Sequence, residues 1–581
     1  MTPYRARSAS GASWTVLPTG TSIFLELPVV MAALGLFFAL VSLARYWASP
    51  VNTRTVIHLN PAVLPKYAFF SVARIMLAYL ISLVVAIAYG YAAARNRKAE
   101  RILIPLLDTL QSIPVLSFLP GVMVAMIALA PTKQLGVEMG SILLIFTGQV
   151  WNMAFSFYSS LRSIPPEMME AARVYRLSWW QRLIQLELPY AAIGLVWNSI
   201  MSVAGGWFFL MACEMFVLGN RDLRLAGLGS YLQTAANAGD TGAILWGVAA
   251  MITVIVLMDQ LLWRPIIAWS EKFKFEQVEA TESPRSPILS LLRRSKLISR
   301  ATRATFMPAR EAATLHFAKN WNVGRTASSA SKRLVASLRV AIALALVATL
   351  YATIRMFFTL SETSRSELGG IFRGAGATFL RVELSLLLAA LWTIPVGVFV
   401  GLRPRLSAVA QPIAQIAASV PATALFPVVL LVLIRMGGGL GIASIVLLLL
   451  GTQWYILFNV IAGASAIPTD LKEVCDVFRL GKAQRWRTLL LPGIFPFMIT
   501  GFVTASGGAW NASIVAEYFH FRGQTFSTTG LGAIISRATD TGNFPVLMGA
   551  TVVMAAMVVT MNRLLWKRLY ALASTKYRLD A

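Results

Sequence analysis

Two polar stretches in an otherwise apolar chain hold most of its chemistry-bearing side chains. The first reads Ile164-Pro-Pro-Glu-Met-Met-Glu-Ala-Ala-Arg-Val-Tyr-Arg-Leu-Ser-Trp-Trp-Gln-Arg and closes with Leu186-Glu-Leu-Pro189. The second reads Ile467-Pro-Thr-Asp-Leu-Lys-Glu-Val-Cys-Asp-Val-Phe-Arg-Leu-Gly-Lys-Ala-Gln-Arg and closes with Leu489-Leu-Leu-Pro492. Prolines followed by acids (Glu167 and Glu170; Asp470 and Glu473) are helix-start signals that suit the helix dipole. Small Ala171 and Ala172 let another surface approach closely. A break near Leu177-Ser178 and Leu480-Gly481, followed by a second short helix, predicts a helix–turn–helix in each stretch. The chemistry on offer is non-covalent: charge pairing and close packing against a partner. A connector helix with ordinary caps would explain one copy, but two copies at the same register favour a functional role. Nothing similar exists for bond-making chemistry. His58, His316 and His520 are scattered, Cys213 and Cys475 lie in or beside apolar runs, and no metal-ligand cluster or catalytic group stands out.

The elements that must carry these stretches follow from composition. Of 581 residues, 57% are hydrophobic and only 13% charged, with a mean hydropathy of +0.67. Soluble domains carry about a quarter charged residues, so an ordinary soluble enzyme is excluded, as is disorder. Apolar runs long enough for a bilayer recur throughout. They predict twelve helices, at about 23–46, 68–94, 102–130, 139–162, 188–213 and 242–268, then 334–360, 376–402, 408–434, 440–463, 490–516 and 543–566. Lys and Arg number 51 against 25 Asp and Glu, a net +26. The positive-inside rule accounts for this excess, and no module interleaving basic and stacking aromatic residues points to nucleic acid.

Basic residues concentrate at 95–101, 163–187, 269–333, 403–405, 467–487 and beyond Lys567, which places both termini in the cytoplasm. Arg5 and Arg7 precede no cleavable signal pattern, so the first apolar run reads as a retained helix. The expected organisation is a cytoplasmic N-terminus (1–22), a first six-helix half (23–268), a basic linker (269–333), a second half (334–568) and a tail (569–581). Within the linker, Ile288–Ile298 has one basic and one apolar face; it is either a helix on the anionic inner leaflet or a solvated connector.

The halves are duplicates. At an offset of 303, Ile164-Pro165 matches Ile467-Pro468, and Glu170 matches Glu473. The same offset pairs Arg176-Leu177 with Arg479-Leu480, Trp207 with Trp510, Glu214 with Glu517, and Trp263 with Trp566. At 307, Arg74 matches Arg381, Gly90 matches Gly397, Pro105 matches Pro412 and Pro114 matches Pro421. Six spans per half keep the copies parallel about an axis along the membrane normal, with both loops facing one compartment. The predicted fold is therefore an all-α polytopic membrane protein of two homologous, parallel six-helix halves.

With their later Leu-Pro, the loops resemble the E-A-A signature of permease subunits in binding-protein-dependent ABC importers. Stretches such as EAARVYRLSWWQR and GGWFFLMACE are most similar to the nitrate, taurine, aliphatic-sulfonate and bicarbonate group. Arg176 and Arg479 stand where the signature usually has glycine, Gly481 falls two residues later, and Val474-Cys475 replaces Ala-Ala. The resemblance implies a type I importer permease in the bacterial inner membrane and a pair of cytoplasmic ATPases docked on the loops. It also implies an extracytoplasmic substrate-binding protein and a small anionic substrate. ATP and Mg would belong to the ATPases, since the chain has no G-x-x-x-x-G-K-[ST] loop. On this reading Glu170, Ala171, Ala172, Arg173, Arg176 and Leu177 form one coupling site. Glu473, Asp476, Arg479, Leu480 and Gly481 form the other. Glu170 and Glu473 would touch the ATPases, and Arg173, Arg176 and Arg479 would hold the loops or bridge the interface.

Polar and aromatic side chains within spans are the candidate pathway lining: Gln149, Trp151, Asn152, Asn198 and Trp207, and Gln453, Trp454, Asn459, Trp510 and Asn511. Helix–helix bonding and core packing are the competing explanation for each. Glu214 and Glu517 are expected at the outer ends, contacting a binding protein or capping an internal element. Arg74 and Arg381 are expected at the outer ends of the second spans, to attract an anion or to snorkel. A channel would need a filter or charged ring, an intramembrane enzyme clustered reactive groups, and a secondary transporter inverted repeats or mid-membrane acids. None of these is apparent.

Overall fold

The computed structural model describes residues 56–130, 132–218, 221–273, 358–437, 439–521 and 524–576, with isolated positions between 290 and 354. Almost all of the expected first spans (23–46 and 334–360), the retained N-terminal run, and nearly all of the linker with its 288–298 segment lie outside the described residues.

The first half runs α1 (Leu64–Arg95), α2 (Arg97–Ser112), α3 (Leu119–Leu129), α4 (Lys133–Arg162), α5 (Pro166–Val174), α6 (Trp179–Arg182) and α7 (Leu188–Glu214). A short hairpin, β1 (Val217–Leu218) and β2 (Arg221–Asp222), leads to α8 (Leu228–Ala238), α9 (Thr241–Met258) and α10 (Arg264–Ser270). The second half repeats the order with α11 (Arg365–Gly401), α12 (Pro404–Ser419), α13 (Ala422–Arg435), α14 (Leu440–Ala466), α15 (Thr469–Val477), α16 (Lys482–Arg485) and α17 (Leu491–Ala516). It ends with β3 (Tyr518–Phe521), β4 (Gln524–Ser527), α18 (Leu531–Thr541), α19 (Phe544–Met561) and α20 (Lys567–Lys576). Among the described residues eight helices are long and apolar enough to cross a membrane, four in each half.

The expected third spans are corrected. Neither 102–130 nor 408–434 is one helix: α2 stops at Ser112 and α12 at Ser419, and apolar α3 and α13 follow as shorter pieces. Pro114 and Pro421 cause the break, because proline disfavours helical backbone in the residue before it. Ile113 (ψ 126°) and Val420 (ψ 116°) are accordingly extended.

A second repeated irregularity explains the Leu-Pro of each loop. Five-residue π-type turns, Leu183–Glu187 and Trp486–Leu490, precede α7 and α17, and the N–H of Leu188 reaches back to the Leu183 carbonyl. Pro189 and Pro492 have no N–H and would crowd a normal helical turn, which the wider turn relieves. The halves pack reciprocally. The Val115–Phe118 turn of the first half lies on α17, and α13 lies on α7. Leu116 N–H donates to Asn511 Oδ1 (3.4 Å), and Thr551 Oγ1 donates to the Ser117 carbonyl (3.2 Å).

Candidate functional site

Each loop folds as the expected helix–turn–helix. Its first helix is tethered by one small buried side chain, Ala172 in α5 and Cys475 in α15, at equivalent positions. Glu167, Glu170, Ala171 and Arg173 face outward, as do Asp470, Glu473 and Asp476. The helix ends are alike. Leu177 N–H donates to the Ala172 carbonyl and Arg176 N–H to that of Arg173, both at 3.0 Å; Leu480 and Arg479 do the same to Cys475 and Asp476. This is the Schellman arrangement, which needs a left-handed residue just past the helix end. Arg176 and Arg479 supply it, each at φ 49°, and they are the two non-glycine residues with positive φ among those described.

A side chain in that conformation costs ~1–2 kcal/mol, part of which glycine gives back as unfolded-chain entropy. Arg176→Gly or Arg479→Gly should therefore slow hydrogen exchange at the amides of Leu177 or Leu480, and Arg176→Val should speed it.

Exposed apolar side chains crown both loops where the sequence reading named none. Val174 and Tyr175 are 79% and 78% exposed, and their counterparts Val477 and Phe478 are 78% and 72% exposed. The signal was present as two apolar pairs inside a polar loop at the same offset. Among the described residues Arg173, Arg176 and Arg479 form no ion pair that would tie the loops to the helices. That work falls to other arginines. In the first half Glu187 is fully buried, pairs with Arg95 and lies 2.9 Å from Arg182, and Arg95 also reaches the Met169 sulfur. In the second half Leu490 and Leu402 occupy the positions of Glu187 and Arg95, and Arg485 pairs with Asp476 of the loop itself.

Between the halves lie two cavities, of about 310 and 170 Å³. Trp454 and Asn511 line the larger, Trp151, Asn152 and Asn511 the smaller. Other expected lining residues are elsewhere. Trp207 and Trp510 are buried on the far sides of α7 and α17, because the cavity faces run through 201, 204, 205 and 208 and through 508, 511 and 512. Gln149 is fully buried beside Gly206, and Gln453 accepts a bond from Trp392 Nε1 at 3.2 Å. Asn198 and Asn459 each bond a carbonyl one turn back, at 2.9 and 2.8 Å. Tyr455, Phe208 and Phe209 line the cavities although the sequence reading did not single them out; apolar residues on apolar helices carry no local mark of which face opens to a cavity.

Arg74 is neither snorkelling nor presented to an anion. It is 1% exposed, and its guanidinium bonds both Glu138 oxygens at 2.6 and 2.8 Å, Glu214 at 2.8 Å and the Ala226 carbonyl at 2.9 Å. Glu214 is equally buried and caps α8 from within. It accepts from the Gly229 N–H at 2.7 Å and from Ser71 Oγ at 2.6 Å, and Ser71 Oγ accepts from the Leu228 N–H at 3.0 Å. A carboxylate at a helix N-terminus meets unpaired N–H groups and the positive end of the dipole.

The second half repeats the device. Glu517 accepts from Arg381, from Thr378 Oγ1 (2.8 Å) and from the Gly532 N–H (2.8 Å) at the start of α18. Gly227 and Gly530 make room for it: a Cβ there would lie 2.2 and 2.0 Å from the carboxylates. Of the alternatives for Glu214 and Glu517, the internal cap is the one found.

A third cavity, of about 600 Å³ and beside the two hairpins, is lined by Asp222 and Arg224 from one half and Tyr518, His520 and Asp540 from the other. Arg224 and Asp222 form a two-point pair at 2.9 and 2.5 Å. Asp540 accepts from the Tyr518 hydroxyl at 2.8 Å and lies 3.1 Å from His520 Nε2. Burial, with that carboxylate, pushes the Tyr518 hydroxyl up to about 12.

Comparison with known proteins agrees with this duplicated architecture. The profile of the binding-protein-dependent transport system inner membrane component family matches twice, over residues 78–262 and 393–573. The chain belongs to that family. Similar members include the bicarbonate transport system permease protein CmpB of Synechococcus elongatus, 31% identical over 148 residues, which are 26% of this chain and 52% of that protein. The nitrate import permease protein NrtB of the same species is 30% identical over 178 residues, 30% of this chain and 60% of that protein. The putative aliphatic sulfonates transport permease protein SsuC of Bacillus subtilis is 22% identical over 257 residues, 43% and 88% of the two chains. The chain thus spans about half to three-fifths of the length of the first two relatives. As an inner-membrane family member it carries the permease unit twice, and each matched region contains one loop and one capping acid.

Proposed function

We propose that the chain is the permease of an ATP-driven importer, forming the pathway for a small anion and taking its drive from two cytoplasmic ATPase subunits docked on α5 and α15. The observation that carries this reading is the pair of loops with the same Schellman end, buried tether and exposed apolar tip. Each tip presents an apolar pair ringed by acids and arginines, a composition suited to a cleft on a partner protein. The π-type turn and Leu-Pro fuse each loop to α7 or α17, the helices that wall the cavities, so that pushing a loop moves a wall. ATP binding then swings the halves between inward- and outward-facing states. ATP and Mg act on the partners, both termini of the chain lie in the cytoplasm, and a substrate-binding protein delivers to the third cavity. The anion assignment follows the names of the relatives, which concern bicarbonate, nitrate and sulfonates.

The test is to purify the full chain from its native membrane in mild detergent and to measure what accompanies it. Two phosphate-loop ATPase subunits per chain are expected. Their absence from a preparation that retains its other contacts would sink the proposal in favour of an ATP-independent channel or secondary transporter.

A further inference from the structure

The two cavities between the halves are pseudo-symmetric partners, and the duplication makes them a controlled comparison. Gly205 and Gly508, equivalent residues, border both. Trp151 of the smaller corresponds to Trp454 of the larger. Around this common frame four pairs of lining positions have diverged the same way, whereas Gln411 of the larger cavity has Ile104 as its counterpart. Gln111, Thr147, Asn152 and Thr504 face the smaller cavity. At their equivalent positions Ala418, Leu450, Tyr455 and Met201 face the larger. At each of these four pairs a hydrogen-bonding side chain of the smaller cavity is matched by an apolar or aromatic one of the larger, of which Met201 and Tyr455 border the smaller cavity as well. Phe208, Phe209 and Trp197 extend the apolar lobe, and Ser202 and Ser506 the polar one. Tyr455, Phe209 and Asn511 border both lobes, so the two adjoin at the axis.

Among the described residues neither lobe is lined by a charged side chain. In the third cavity Arg224 and His520 each sit against a carboxylate, Asp222 and Asp540. A bare inorganic anion would therefore leave water without gaining a counter-charge, which is costly. An anion attached to an apolar body recovers that cost by burying the body among the rings, while neutral amide and hydroxyl donors serve the oxygens.

We propose that the two lobes form one oriented binding site for an amphipathic organic oxyanion, its apolar body in the Leu450–Tyr455 lobe and its oxygen-bearing head in the Thr147–Asn152 lobe. The inference rests on reading these cavities as the substrate pathway and narrows its substrate from small anions in general to organic ones.

Calorimetric titration of the purified full-length chain tests it, with benzenesulfonate and nitrate as probes. Saturable binding of benzenesulfonate, at least tenfold tighter than nitrate, is expected. Leu450→Thr with Tyr455→Asn, which copies the polar lobe into the apolar one, should weaken benzenesulfonate about tenfold and leave the melting temperature within a few degrees. Thr147→Leu with Asn152→Tyr makes the reverse change and should weaken it through the head; if one double variant fails to fold, the other still decides. Equal binding of the two probes, no saturable benzenesulfonate binding, or unchanged affinity in a folded double variant overturns the proposal. Because binding to the chain alone is scored, that failure leaves the ATPase stoichiometry, and with it the importer reading, untouched.

Discussion

Arg74→Met is expected to leave too little folded chain in the membrane to purify, whereas Arg381→Met yields a folded but less stable protein. Arg74 is the sole cation in contact with two fully buried carboxylates, Glu138 and Glu214, among the described residues. Removing one partner of a buried pair costs ~3–5 kcal/mol, because the remaining charge is left without a counter-ion. Here two charges are stranded, and one of them also holds the start of α8. That cost is comparable with the ~5–15 kcal/mol by which domains are typically stable.

The second half differs in one residue that decides the asymmetry: Gly441 stands where Glu138 stands in the first. Among the described residues Glu517 is the one carboxylate that Arg381 pairs with, its other bonds going to Thr528 Oγ1 and the Thr529 carbonyl, and its side chain is 10% exposed, so water takes up part of the loss. Arg74→Met combined with Glu138→Gln should recover part of the yield, since it removes the second stranded charge. Membrane abundance and the melting temperature in detergent measure all three variants. Equal loss for Arg74→Met and Arg381→Met would contradict the account.

The second large effect concerns the loops. Tyr175→Asp with Val174→Asp, or Phe478→Asp with Val477→Asp, should abolish retention of the proposed ATPases and ATP-driven uptake while leaving the melting temperature unchanged. These side chains are more than 70% exposed, so the fold gains little from them. An aromatic anchor at the centre of an interface is worth ~2 kcal/mol or more, about thirtyfold in affinity, and a buried unpaired carboxylate adds to the penalty. Reversing Glu170 or Glu473 should do far less, because an exposed charge pair contributes ~0–1 kcal/mol. Co-purification and uptake in membrane vesicles read the outcome. Full ATPase retention by the tip variants would mean that the apolar crowns are not the docking surface. The clamp of Glu187 by Arg95 and Arg182 exists in the first half only, so the two loops are attached to their helices by different means although their tips match.

The loops were legible in the sequence because what marks them is local. Prolines, first-turn acids and an apolar-to-polar change fall within about twenty residues and recur at one offset. Their ends were less so: the position usually held by glycine carries arginine, and only the backbone showed that Arg176 and Arg479 adopt the left-handed geometry regardless. The broken third spans could have been read from Pro114 and Pro421, but hydropathy alone sees apolar residues on both sides of the break. Trp207 illustrates the opposite error. A tryptophan beside two glycines looked like pathway lining, yet one step along a helix turns a side chain by about 100°, and that step separates the buried Trp207 from the cavity-lining Phe208.

By itself the sequence determined a membrane-embedded helical protein made of two parallel copies, each with a polar helix–turn–helix loop, because hydropathy, duplication and helix signals are written in neighbouring residues. The tertiary structure decided which arginine meets which acid and which lobe is polar. Arg74 and Glu214 stand 140 residues apart, and the four diverging pairs acquire meaning only when both halves close around a common axis. Charge pairing and cavity polarity depend on distance in space, and no local pattern records that distance.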